Sequence, residues 1–313
     1  MDGWAIEADG LSRAFDGLVA VEGVSLRIPR GQVFSLLGPN GAGKTTTVRM
    51  LTTLIAPTVG HARVAGFDIR AQSLEVRRRI GLLTEVPGLY DSLSARRNLE
   101  FSADLHGMPR ARRDARLREV LEALGIWGRR DERVATFSKG MKQKIAIARA
   151  LVHEPEVLFL DEPTASLDPE SSKVVRDYIL QIKAAGGTIF LNTHNLYEAE
   201  RVSDAVAIIS RRILATGAPR DLARTLWRPR TEVRLRALTP ALLEEARAAP
   251  GVLAAEPEGT SLHLELEDPA RDVPAVVAHL VRAGAEVLGV GELGHSLEDV
   301  YLRLLASSQG VPA

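Results

Sequence analysis

The stretch Gly38-Pro39-Asn40-Gly41-Ala42-Gly43-Lys44-Thr45 constrains this chain more than any other. It follows the apolar run VFSLL and precedes TTTVRMLTTLI, so the pattern G-x-x-x-x-G-K-[ST] falls between an expected strand and a helix expected to start near Lys44. Glycines in such a loop let backbone N–H groups wrap a row of phosphates. Lys44 brings a compact positive charge to the outer phosphates, and the Thr45 hydroxyl can ligate Mg²⁺. A loop of this kind works at the carboxyl edge of a parallel sheet.

The rest of the chain reads accordingly. Residues 1 to about 70 hold short β-rich segments, VAVEGVSLRI and QVFSLLG, and about 88 to 150 is helical, with apolar residues three and four apart in RRNLEFSADLHG and RARRDARLREVLEALG. The Arg-rich part of that second helix, 110 to 118, reads as a solvated face because acids are interleaved with it. Strand-like runs follow at 157–160, 187–194 and 205–210. Alternating strands and helices imply an α/β fold with a mostly parallel sheet. The linker RTLWRPRTEV, with Pro229, marks a boundary between residues 1–228 and a compact α+β unit at 229–313, of ferredoxin-like or related type.

Composition narrows the partners. The 40 basic and 40 acidic side chains among 313 residues give no net pull toward nucleic acid or anionic lipid. No apolar run approaches the roughly 18 to 20 residues of a membrane span, and MDGWAIEADG lacks the apolar core of a signal peptide, so a soluble cytoplasmic chain is expected. With no cysteine, disulfides and thiolate metal sites are excluded.

Three further segments carry chemistry. In VLFLDEP a buried strand delivers Asp161 and Glu162 together at its carboxyl end; in strand geometry the two would point to opposite faces and do different jobs. Asp161 would hold Mg²⁺, directly or through water, and Glu162 would orient and deprotonate an attacking water. His194, in FLNTHN, reaches the same sheet edge and would contact a terminal phosphate or orient the water. FSKGMKQK at 137–144 raises a separate question. A Ser-x-Gly turn leading into a basic helix is a second anion-binding helix N-terminus, and one nucleotide does not need two from the same face.

These elements, in this order, resemble the ATP-binding subunit of an ATP-binding cassette (ABC) transporter over residues 4 to about 225. FSKGMKQKIAIARAL is similar to that family's signature motif, LFLDEPTASLD to its Walker B segment and D-loop at Ser166, Leu167 and Asp168, and NTHNLYEAERVSDAVAII to its histidine switch. The resemblance implies a phosphate-loop cassette with an N-terminal antiparallel β part and a helical subdomain inserted at about 86–150. It further implies ATP and Mg²⁺ as ligands, with Gly38, Pro39, Asn40, Gly41, Ala42, Gly43, Lys44, Thr45 and Thr46 on the phosphates and Phe15 stacked on adenine. Thr45, Asp161 and Glu85 fall at the metal.

In this family two cassettes pack head to tail, so Ser138, Gly140 and Asp168 would serve the ATP of a second copy, a homodimer being expected. Lys139 and Met141 replace the usual Gly and Gln, a variant similar to that of exporters whose permease is a separate membrane polypeptide; the chain would then sit on the inner face of the cell membrane through that permease. An importer motor and a soluble ABC ATPase acting on ribosomes or DNA are the alternatives. Glu85 stands where the family has Gln, keeping an oxygen ligand while adding negative charge. The tail, ending HSLEDVYLRLL, resembles the appended domain of daunorubicin-resistance-type subunits, for which a dimer-stabilising or regulatory role is implied.

Overall fold

The computed structural model describes residues 3–165, 167–226, 230–293 and 296–308. Ser166, Pro229 and the boundary expected at 228/229 lie outside the described residues. The chain divides into two compact units, residues 1–219 with 303–313, and residues 220–302.

The first unit runs, in chain order, β1 (Trp4–Phe15), β2 (Leu18–Pro29), β3 (Val33–Leu37), α1 (Lys44–Leu51), β4 (Val59–Val64), β5 (Phe67–Asp68), α2 (Ser73–Arg79), β6 (Ile80–Leu83), α3 (Ala95–Leu105), α4 (Arg110–Ala123), α5 (Lys139–Leu151), β7 (Val157–Asp161), α6 (Pro169–Ala184), β8 (Thr188–Thr193), α7 (Leu196–Val202), β9 (Ala205–Ser210) and β10 (Arg212–Gly217). Strands β2-β1-β4-β5 form an antiparallel sheet. Its β1 and β2 are twelve residues each, longer than the short segments expected, and register shifts bend the pair. The hairpin closes through Asp16-Gly17, φ 46° and 83°, the left-handed pair that a two-residue turn demands. Phe15 is thereby presented at the strand end.

A second sheet has the order β10-β9-β3-β8-β7-β6, parallel except for β10. Its central strands β3, β7 and β8 are buried along their whole length, as a parallel sheet covered on both faces must be. Alternation sorts the side chains. Val157, Phe159 and Phe190 join Phe34 and Leu36 in a core shared with α1 and the antiparallel sheet, while Leu158, Leu160, Ile189 and Leu191 pack on the helices α3 to α6. On α4, exposed Arg112 and Arg118 pair with Glu154 and Glu122 on a solvated face, while Arg113 and Arg116, paired with Asp104 and Glu119, are largely covered.

After α8 (Pro219–Leu226) come β11 (Arg230–Leu235), α9 (Pro240–Ala248), β12 (Val252–Glu258), β13 (Ser261–Leu266), α10 (Pro269–Arg282), β14 (Val287–Leu293) and α11 (Leu297–Ser308). The order β12-β13-β11-β14, antiparallel throughout, is the split β-α-β arrangement of ferredoxin-like domains. Val233, Leu235, Leu262, Leu264 and Leu266 meet Leu242, Ala246, Val276 and Leu280 in a core of their own. No helix among the described residues is long and apolar enough to cross a membrane.

Candidate active site

The phosphate loop joins β3 to α1. Gly43, at φ 97°, is the N-cap of α1 and offers no side chain to its amides, so those N–H groups remain open to an anion. Only glycine fits there. A Cβ would stand 2.6 Å from the Ala20 carbonyl oxygen and 2.8 Å from Val21 Cγ2. Lys44 is buried, 7 % exposed, and its Nζ donates to the carbonyls of Gly38 at 2.7 Å and Pro39 at 3.2 Å. Burial holds its ammonium below the usual lysine range, while Glu162 and Asp161 pull the other way.

Around this loop opens a cleft of about 480 Å³. Phe15, Pro39 to Thr46, Glu85, Asp161, Glu162 and His194 line it, together with Ala20, Ala165 and Asn192. The phosphate loop, the segment after β6 and the ends of β7 and β8 thus meet at the carboxyl ends of parallel strands, and Phe15 joins them from the end of β1 in the antiparallel sheet. Gly38 does not line the cleft; a Cβ there would lie 2.4 Å from the Ile209 carbonyl oxygen.

The adjacent carboxylates do not point to opposite faces. Strand β7 ends at Asp161, and Glu162 turns left-handed with φ 50°, its N–H donating to the Asn192 carbonyl at 2.8 Å. That turn breaks the alternation and brings both carboxyls into one cleft. Asp161 is 3 % exposed and accepts a hydrogen bond from Asn192 Nδ2. Burial pushes its carboxyl above the usual range, the Asn192 bond opposes this, and Glu162 and Glu85 add to the rise. Glu162 Oε1 lies 2.8 Å from His194 Nδ1, and Thr193 Oγ1 donates to Glu162 Oε2 at 3.4 Å. The imidazole is exposed, whereas the glutamate is mostly enclosed. Among the described residues no group of three or more His, Asp or Glu side chains is arranged to hold a metal ion by itself.

Ser138, Gly140 and Asp168 lie outside the cleft. Exposed Ser138 caps α5, its hydroxyl accepting from the Met141 N–H at 3.3 Å. Asp168 caps α6 by accepting from the Ser171 N–H at 2.8 Å, and that amide holds its carboxyl below the usual range. The two helix ends are neighbours, since a Cβ on Gly140 would meet Ser171 Oγ at 3.1 Å and Asp168 Oδ2 at 3.7 Å.

Three buried polar residues of this region had no signal in the sequence. Asn192 holds Asp161, Gln143 Nε2 donates to the Pro163 carbonyl at 3.0 Å, and Glu198 accepts from the Thr164 hydroxyl. Each joins elements distant in sequence, which periodicity does not report.

An ABC transporter family profile matches residues 21–165. The daunorubicin/doxorubicin resistance ATP-binding protein DrrA of Streptomyces peucetius is 37 % identical over 304 residues, covering 96 % of this chain and 92 % of that protein. The bacitracin transport ATP-binding protein BcrA of Bacillus licheniformis is 40 % identical over 217 residues, 69 % of this chain and 70 % of that one. A solved structure described as the ATP binding subunit of an ABC transporter superposes with a TM-score of 0.67 at 32 % identity, over 71 % of this chain and 93 % of the other. With a phosphate loop on a parallel sheet and near full-length similarity of this kind, the chain belongs to the ATP-binding proteins of ABC transporters and is an ATPase of that family.

Proposed function

We propose that this chain is the ATP-driven motor of an exporter: two copies enclose two ATP molecules head to tail and act on a separate membrane permease. One observation carries the reading. The cleft gathers the phosphate loop, Phe15, Glu85, Asp161, Glu162 and His194, while a second anion-competent helix end, that of Ser138 and Gly140, is displayed outside it. A half-site and its complement on one chain suit a pair in which each copy completes the other. The similarity to a resistance protein along nearly the whole chain supports efflux of a drug, antibiotic, lipid or ion. On this reading residues 1–228 are the cassette, attached to the inner face of the cell membrane through the permease, and 229–313 an accessory domain that steadies the pair.

The loop amides and Lys44 hold the outer phosphates, exchanging the Gly38 and Pro39 carbonyls for phosphate oxygens. Thr45, Asp161 and Glu85 offer hard oxygen donors in one cleft, a set that fits Mg²⁺, which takes one or two carboxylates and fills its shell with phosphate and water. When bound, the cation neutralises charge on the phosphates. Glu162 orients the attacking water and takes its proton as the new P–O bond forms and the bond to the departing ADP breaks; His194 keeps the carboxylate aimed. Phe15 supplies an aromatic face for adenine.

Glu162→Gln tests this. Steady-state hydrolysis should fall by about 10² to 10⁴, the range of a general base, with ATP binding retained and an ATP-dependent dimer seen in sedimentation. Unchanged turnover would remove Glu162 as the base, and a monomer at saturating ATP would remove the head-to-tail pair.

A further inference from the structure

The loop between β7 and α6 carries both Glu162 and Asp168, and it is anchored from two sides. From α5, Gln143 Nε2 donates to the Pro163 carbonyl at 3.0 Å. From α7, the helix that follows His194, Glu198 accepts a hydrogen bond from the Thr164 hydroxyl. Glu198 is 5 % exposed, so its carboxyl has left water for this one hydroxyl, with the Arg176 charge in the vicinity. Such burial is not needed to start α7, because Asn195 already caps it, its side chain accepting from the Glu198 N–H at 3.2 Å.

What the clamp holds is a strained backbone. Glu162 has φ 50°, a left-handed conformation that an L-residue with a side chain keeps only when its surroundings over-determine it. On one side the Glu162 N–H is fixed to Asn192. On the other the turn closes through Ala165 N–H to the Glu162 carbonyl at 3.2 Å and Leu167 N–H to the Thr164 carbonyl at 3.1 Å, with Thr164 at its centre. Releasing Thr164 therefore loosens the support of the left-handed turn that aims Glu162 at His194.

We propose that Glu198 is a positioning residue for hydrolysis: by holding the Thr164 hydroxyl it locks the Glu162 turn to α7, so that the carboxylate and His194 stay in register. Glu198 touches neither the nucleotide cleft nor the reacting atoms. The inference rests on Glu162 as the base.

The experiment uses the full chain and steady-state ATPase kinetics, with Thr164→Val, Thr164→Ser, Glu198→Ala, Glu198→Gln and Glu162→Gln side by side. Thr164→Val and Glu198→Ala should each lower kcat about tenfold, the order of one hydrogen bond lost from the reacting geometry, with KM for ATP changed by less than about twofold. Thr164→Ser and Glu198→Gln, which keep a donor and an acceptor, should retain most of kcat. The Val/Ala double variant should be no slower than either single one, because both remove the same contact.

If Glu198→Ala does not fold, Thr164→Val, which keeps the side-chain volume, decides alone. Normal kcat in Thr164→Val, or additive losses in the double variant, would overturn the proposal. Normal kcat in Glu162→Gln would instead overturn the assignment of the base, so the two failures are distinguishable.

Discussion

Two helix N-termini of this chain, those of α1 and α5, are built differently. At α1 the cap is a left-handed glycine that gives the amides nothing, the first lysine is buried, and a cleft surrounds both. At α5 the cap is an exposed serine that satisfies one amide itself, and the residues stand outside that cleft. The first is a site with walls. The second has the chemistry of a site without the enclosure, and an anion held there in water would gain little because exposed charge interactions are screened. Enclosure has to come from another surface, and under the head-to-tail arrangement proposed above that surface is the phosphate-loop cleft of a second copy.

Of the two helix ends, the open one should give the larger effect when broken. Ser138→Arg should lower hydrolysis by about 10² to 10³, as for loss of one transition-state donor, while a single chain binds ATP as before. Mixing Ser138→Arg with Lys44→Ala chains should restore ATP-dependent dimers in sedimentation, since one composite site keeps both halves. If Ser138→Arg chains lose ATP affinity by titration calorimetry, the α5 end acts within its own chain.

Gly43→Ala strikes the walled end. Its Cβ would meet a backbone oxygen at 2.6 Å in a left-handed position, and strain of about 1–3 kcal/mol corresponds to a loss of ATP affinity of up to about 150-fold. Gly140→Ala meets a rotatable serine hydroxyl at 3.1 Å as its nearest neighbour, with Ser171 Cβ and Asp168 Oδ2 at ordinary contact distance, and should leave that affinity intact. Equal losses in the two variants would erase the distinction between the ends.

The smallest effect sharpens the cleft itself. Glu85 lines it, and its charge adds to the rise of the Asp161 carboxyl. Glu85→Ala should shift the Mg²⁺ dependence of hydrolysis to higher metal and slow turnover by a factor of about three to ten, about 1 kcal/mol of charge interaction. An unchanged Mg²⁺ titration would place Glu85 in coupling to the permease instead.

Much of this was legible in the chain. The phosphate loop, the helix at Lys44 and the strands β7, β8 and β9 follow from local pattern, because a parallel sheet buried on both faces needs unbroken apolar runs. What escaped was non-local or conformational. Glu162 reaches the cleft of Asp161 only because its φ is positive, and alternation had placed it opposite. Asn192 and Asp161 are 31 positions apart, Thr164 and Glu198 34, and no periodicity links a polar pair across such a gap. Long strands were read as short ones where bulges in β1 and β2 interrupt the pattern.

The Ser138 cap has an entropic side as well. A hydroxyl has one proton and two lone pairs, and with one lone pair engaged by the Met141 N–H the rotor is already confined while its proton stays free to donate. A phosphate arriving from a second copy would find a donor whose rotation is spent before contact, leaving less freedom to lose on closure. An alanine at 138 would remove that donor, and a flexible longer side chain would have to be frozen at the moment of association.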